Sequence, residues 1–171
     1  MNRDPIDELA TGWRRELPEL DTAPMVTVAQ LNRLTAMLNR RVADMLSEHG
    51  SSLGDFDVLS ALRRHGEPYE LMPSELSRRV MLSPSGMTHR LDLLESAGLV
   101  ERRLDPQNRR SLPVALTEAG VVAAESLVHL VVEVESDVLG VIGSKQRSAL
   151  DEAAGVLLDH LAALAEAQGA S

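Results

Sequence analysis

Residues 73–117 read PSELSRRVMLSPSGMTHRLDLLESAGLVERRLDPQNRRSLPVALT. Their punctuation predicts a short helix, a tight turn, a second helix, a strand, an arginine-tipped turn and a second strand. Pro73 stands in a first helical turn, where its missing N–H costs nothing. Ser83 and Pro84 repeat that start as N-cap and first helical residue, and Gly98 supplies the stop for a helix over 84–97. Leu112, Val114 and Leu116 alternate, as a half-buried strand requires, so strands are predicted over 99–104 and 111–116. Pro113 fits an edge strand. This order of elements is that of a winged helix-turn-helix, which places one helix in a DNA major groove and a basic loop in the adjacent minor groove.

The second helix divides by angle. At 100° per residue, Met87, Leu91 and Leu94 fall within about 60° of one another and form a core face. Ser85, His89, Asp92 and Ser96 lie opposite, with Thr88 near the edge. Ser83, Ser85, Gly86, Thr88 and His89 belong to the start of the helix, where base edges and phosphates are met. Arg90 falls beside the core face and points sideways. By itself it reads as a snorkelling arginine whose stem covers the core. The turn Asp105-Pro106-Gln107-Asn108-Arg109-Arg110 carries two adjacent arginines suited to a narrow, electronegative minor groove.

Helices flank this module. Ile6, Leu9, Trp13 and Leu17 predict a short amphipathic helix over 4–17. Val28, Leu31, Leu34, Leu38, Val42 and Leu46 predict a long one over 25–48, stopped by Gly50. Another is expected over 54–65. Thr117 and Ser144 are read as caps of helices over 118–140 and 145–167. Val121, Val122, Leu127, Val128, Leu130, Val131, Val134 and Val138 cover more than one face, which requires burial on several sides. Either an intramolecular bundle or a partner subunit provides it. The organisation expected is mainly α with a small β wing. Residues 1–52 contribute to a dimer body, 53–117 form the winged helix-turn-helix, and 118–171 are dimerisation helices.

Of 171 residues, 17 are Lys or Arg and 26 are Asp or Glu, giving a net charge of −9. That balance opposes DNA binding by the chain as a whole. It is unevenly spread: residues 53–115 hold 9 basic and 9 acidic residues, so the flanks carry the entire excess. An acidic body would repel DNA everywhere except at a local basic surface. With no cysteine, disulfides, thiolate metal sites and cysteine redox sensing are excluded. The five histidines are scattered, and no metal or catalytic constellation is expected. The N-terminus, MNRDPIDELATGW, is acidic where a signal peptide needs an apolar run, and no stretch is long enough to span a membrane, so a cytosolic protein is expected.

With these residues in place, the chain resembles the MarR family of transcriptional regulators. The resemblance rests on FDVLSALRR (56–64), the helix-turn-helix, the wing D-P-x-x-R-R and the L-T-x-x-G of residues 116–120. It implies a two-fold homodimer that sets its recognition helices in successive major grooves of a palindromic operator, with repression relieved by a small ligand. The chain is similar to the urate-responsive subgroup, which carries an added N-terminal helix. There Trp13, Asp57, Arg90 and Arg102 occupy the places of the ligand-binding residues, within the contexts D-F-D-V-L, M-T-x-R-L-D and L-V-E-R-R. Some members respond to citrate or aconitate, so the effector implied is urate or a di- or tricarboxylate, with no other cofactor. Close relatives often have asparagine where His89 stands, and the family usually has an aspartate where Asn108 stands.

The four residues suit an anion on chemical grounds too. Guanidinium forks pair with oxyanions, and an indole offers a stacking face. Asp57 could hold Arg90 in the absence of ligand or accept an N–H from a purine-like one. Trp13 is equally read as the core anchor of its helix, and Asp57 as an ordinary exposed carboxylate. Alternatives are a MarR-type regulator of phenolic or antibiotic ligands and, from another class, a winged-helix protein-interaction module.

Overall fold

A computed structural model describes residues 5–80, 83–103 and 112–169 of the protein. In chain order it forms α1 (Pro5–Glu16), α2 (Ala23–Glu48), α3 (Leu53–His65), β1 (Glu70–Leu71), α4 (Pro73–Arg79), α5 (Pro84–Ser96), β2 (Val100–Arg102), β3 (Val114–Leu116), α6 (Glu118–Leu139) and α7 (Ser144–Gly169). Two compact units are present, residues 1–132 and 133–171.

The first unit holds the buried core. Val58, Leu59, Ala61 and Leu62 of α3 are buried together with Leu76 of α4, Met87, Leu91 and Leu94 of α5, and the sheet residues Val100, Val114 and Leu116; α3 packs on α4, α5, β1 and β3. The three α5 side chains are only 1–3% exposed, so the predicted core face is the observed one. Caps place the helices as their sequences direct. Ser83 is extended, and its Oγ accepts the Gly86 N–H at 3.1 Å. Ser52 and Asp55 form a full capping box at the start of α3. The start of α7 differs from expectation. Ser144 is its first helical residue, and the Gln146 side chain accepts the Gly143 N–H at 3.0 Å.

The sheet corrects two expectations. Its order is β1-β3-β2, all antiparallel, so β3 is central and not an edge strand. Pro113 therefore lies just ahead of β3, where its carbonyl accepts the Arg103 N–H at 2.9 Å. Val114, Ala115 and Leu116 are all buried, not alternately so, because β3 is paired on both sides within the core. The extra strand β1 has two residues, too few to show a period. The turn between β2 and β3, with Arg109 and Arg110, lies outside the described residues.

The L-T-x-x-G run is a junction between sheet and α6. Thr117 Oγ1 donates to the Gly98 carbonyl at 2.7 Å and accepts the Gly120 N–H at 3.0 Å. The Thr117 N–H donates to the Leu99 carbonyl at 3.1 Å. That draws α6 so close that a Cβ on Gly120 would stand 1.9 Å from the Leu99 oxygen. Glycine is required by contact with backbone, which has no rotamer by which to yield.

In the second unit, α7 is exposed along its whole described length, including Val156, Leu157, Leu158, Leu161 and Leu164. In the first, α2 exposes Val28, Leu31, Leu34 and Met37 at helical spacing.

Gly120→Ala must part the helix from the sheet, at about 3 kcal/mol. Thermal denaturation should show a melting temperature lower by roughly 6–12 °C, whereas Thr117→Ala, which loses the cap and the hydroxyl's bond to the Gly98 carbonyl, should cost about 2 kcal/mol.

Candidate nucleic-acid interface and effector site

The N-terminal half of α5 presents the expected row. Ser83, Ser85, Thr88 and His89 are exposed, and Gly86 is partly so. Ser83 Oγ lies 3.3 Å from Ser85 Oγ, so the cap also orders the first residue of the row. The exposure follows from the burial of Met87, Leu91 and Leu94, which sets the rotation of the helix.

Arg90 turns to α3. Its Nη1 donates to Asp55 Oδ1 at 2.9 Å and to Ser52 Oγ at 3.0 Å. The pair is mostly enclosed, with side-chain exposures of 26% and 19%. Asp55 has a second duty: its Oδ2 accepts the Ser52 N–H at 3.0 Å and the Ser52 hydroxyl at 2.6 Å. Arg90 is thus latched to the capping box of α3. Gly54 makes room for it, because a Cβ there would stand 2.9 Å from Nε and Nη2 of Arg90. The expected partner, Asp57, is not the one used. Asp57 is half-buried further along the helix, and burial raises its pKa above the ordinary 3.8, with Arg64 opposing the shift.

Arg102 turns to the other end of α5. Its Nη2 donates to Asp92 Oδ1 at 2.5 Å, its Nη1 to Glu95, and its backbone N–H to Glu95 Oε1 at 3.3 Å. Its pKa is raised, first by the Asp92 hydrogen bond. Trp13, on α1, is 41% exposed. Among the described residues, no hydrogen bond or ion pair joins any two of Trp13, Asp57, Arg90 and Arg102.

A cavity of about 390 Å³ opens beside the Arg90 latch. Its wall includes Asp55, Leu59, Leu93, Leu94, Leu99 and Leu127, and none of the four residues named above. Ser51 also lines it, and the Ser51 hydroxyl is buried without a hydrogen-bond partner. Asp55 and Ser52 were readable in the sequence as an S-x-x-D capping box before an apolar run. Their engagement with Arg90, 35 and 38 residues away, was not. Asp92 and Glu95 lie one turn apart on α5, but nothing local pairs them with a strand residue. Among the described residues there is no cluster able to hold a metal ion and no helix long and apolar enough to cross a membrane.

The MarR family pattern matches residues 49–111. The HTH-type transcriptional regulator PecS of Dickeya dadantii (strain 3937) is 33% identical over 156 residues, 91% of this chain and 94% of PecS. The multiple antibiotic resistance protein MarR of Escherichia coli (strain K12) is 31% identical over 108 residues, 61% of this chain and 73% of that protein. In fold, the chain is similar to AbsC, a MarR family regulator from Streptomyces coelicolor, with TM-score 0.71, 23% identity, and 84% of this chain and 97% of AbsC covered. It is also similar to a cysteine-to-serine mutant of E. coli MarR in complex with operator DNA, with TM-score 0.67, 21% identity, and 85% and 97% covered. With a full-length relative at this identity and a winged-helix fold around the matched segment, the chain belongs to the MarR family of DNA-binding transcriptional regulators.

Proposed function

We propose that the protein acts as a homodimeric repressor that binds a palindromic operator and releases it on binding a small anion, urate or a di- or tricarboxylate. The observation that carries the DNA half is the setting of α5. Its apolar stripe is sunk in the core, while Ser85, Thr88 and His89 stand outward in its first two turns. A protein of the same fold, E. coli MarR, has been solved in complex with operator DNA, which supports a DNA-binding use of this fold. The uncovered apolar residues of α2 and α7 support a second subunit.

The anion half rests on Trp13, Asp57, Arg90 and Arg102 as residues that hold the effector, the anion reaching Arg90 through the cavity beside Asp55. An anion there competes with the Asp55 carboxylate for the guanidinium. Release of the latch frees the start of α5 to shift, and the separation of two recognition helices must match about 34–36 Å on B-DNA. The effector therefore favours the DNA-incompetent state by its differential affinity. A second reading, a phenolic or antibiotic effector, is favoured by the largely apolar cavity wall.

The test is titration of an operator duplex, selected by the protein from random-sequence DNA, followed by fluorescence anisotropy. Ser85→Ala and His89→Ala should each weaken binding about tenfold. Urate, citrate and salicylate added in turn separate the effector classes. Quenching of Trp13 and loss of DNA release in Arg90→Ala are expected with the true effector; full release by Arg90→Ala overturns the anion reading. Gly54→Ala displaces only the flexible end of Arg90. It should fold normally by circular dichroism yet bind operator roughly three- to tenfold more weakly, with less further release by effector. The raised pKa of Asp57 means that the folded chain holds its proton more tightly than the unfolded chain does. That contribution to stability is lost as pH rises from 3.8 through the folded value. Asp57→Asn should accordingly melt above the unmodified protein at pH about 7, the gap closing as pH falls toward 3.8.

A further inference from the structure

We infer that Arg102 sets the DNA affinity of the ligand-free protein by covering two carboxylates of the recognition helix, Asp92 and Glu95. The inference rests on the reading of α5 as the DNA-facing helix and on the charges around it. The only Lys or Arg in α5 is Arg90, and Arg90 is committed to Asp55 and Ser52. The acids of α5 are Asp92 and Glu95. On the helical wheel Asp92 continues the row begun by Ser85 and His89, and its side chain is 57% exposed. Without a cation nearby, Asp92 on the outward side and the partly exposed Glu95 on its flank would set two negative charges near a phosphate backbone.

Arg102 prevents this from the neighbouring strand. Its guanidinium donates to both acids, and the Arg102 backbone N–H adds a second bond to Glu95. Arg103, next along the chain after β2, is not available for the task, because it is bound to Glu101 at 2.8 Å and to Glu70 at 3.4 Å. The planar fork suits the work: two amino groups meet two carboxylates in fixed directions, which an ammonium would not do. Each carboxylate has an oxygen engaged by the guanidinium, which holds it toward β2 and away from an incoming phosphate. A ligand that drew Arg102 away would uncover both acids and lower affinity without any movement of α5.

A double-mutant cycle tests this on the full chain, in ligand-free buffer, with the selected operator duplex and anisotropy. Arg102→Ala should weaken binding at least about tenfold at low salt and less at high salt. Asp92→Asn with Glu95→Gln, in the otherwise unmodified chain, should change binding less than about twofold, because the acids are already covered. The same pair of substitutions added to Arg102→Ala should restore most of the lost affinity. An equal gain in both backgrounds would show that Arg102 meets phosphate directly and the acids stand uncovered, and it overturns the inference. So does unchanged binding by Arg102→Ala. Should Arg102→Ala fail to fold by circular dichroism, the acid-pair variant decides: a gain of about tenfold overturns, and a change within twofold supports. No operator binding by the unmodified protein would overturn both this inference and the DNA reading; binding without the coupling overturns this one alone.

Discussion

Burial of Met87, Leu91 and Leu94 sets the rotation of α5, and the rest of the site depends on that setting. Each of these side chains contributes on the order of 2 kcal/mol by leaving water. Turning the helix by one residue would expose the stripe and bury polar residues in its place. With the rotation held, each remaining position has one direction open to it. Ser85 and His89 face outward, Arg90 goes sideways to α3, and Asp92 and Glu95 fall within reach of β2. One apolar contact surface thus distributes the chemistry of the whole helix.

Arg90 within α5 and Arg102 beside it show how an acidic chain manages charge near DNA. Neither Arg90 nor Arg102 is spent on solvent. Arg90 joins the helix to the capping box of α3, and Arg102 joins it to the strand that leads into the wing. Both links are charge-assisted and partly shielded, so they hold orientation more firmly than surface pairs do.

Much of the fold was legible in the chain. Pro73, Ser83-Pro84, Gly98 and Thr117 mark element ends through local backbone chemistry, and the observed helices begin and stop within a few residues of those signals. The wheel separated the core face of α5 from its exposed face because helical geometry alone decides which residues share a side. The sheet was less legible. A two-residue strand has no period, and the pairing of Glu70 with Ala115 bridges 45 positions that no local signal connects. The burial of Ala115 follows from that pairing.

The candidate site divides in the same way. By itself the sequence determined which residues are outward on the recognition helix and that Arg90 leaves that set, since both follow from 100° steps along one helix. It also marked Gly120 as part of a motif. Only the tertiary structure decided that Arg90 meets Asp55 and not Asp57, that Arg102 holds Asp92 and Glu95, and that Gly120 touches the Leu99 carbonyl. The physical reason is range. Helix phase is set by neighbours within four residues, whereas the partner of a long charged side chain is whichever group packing brings to its tip.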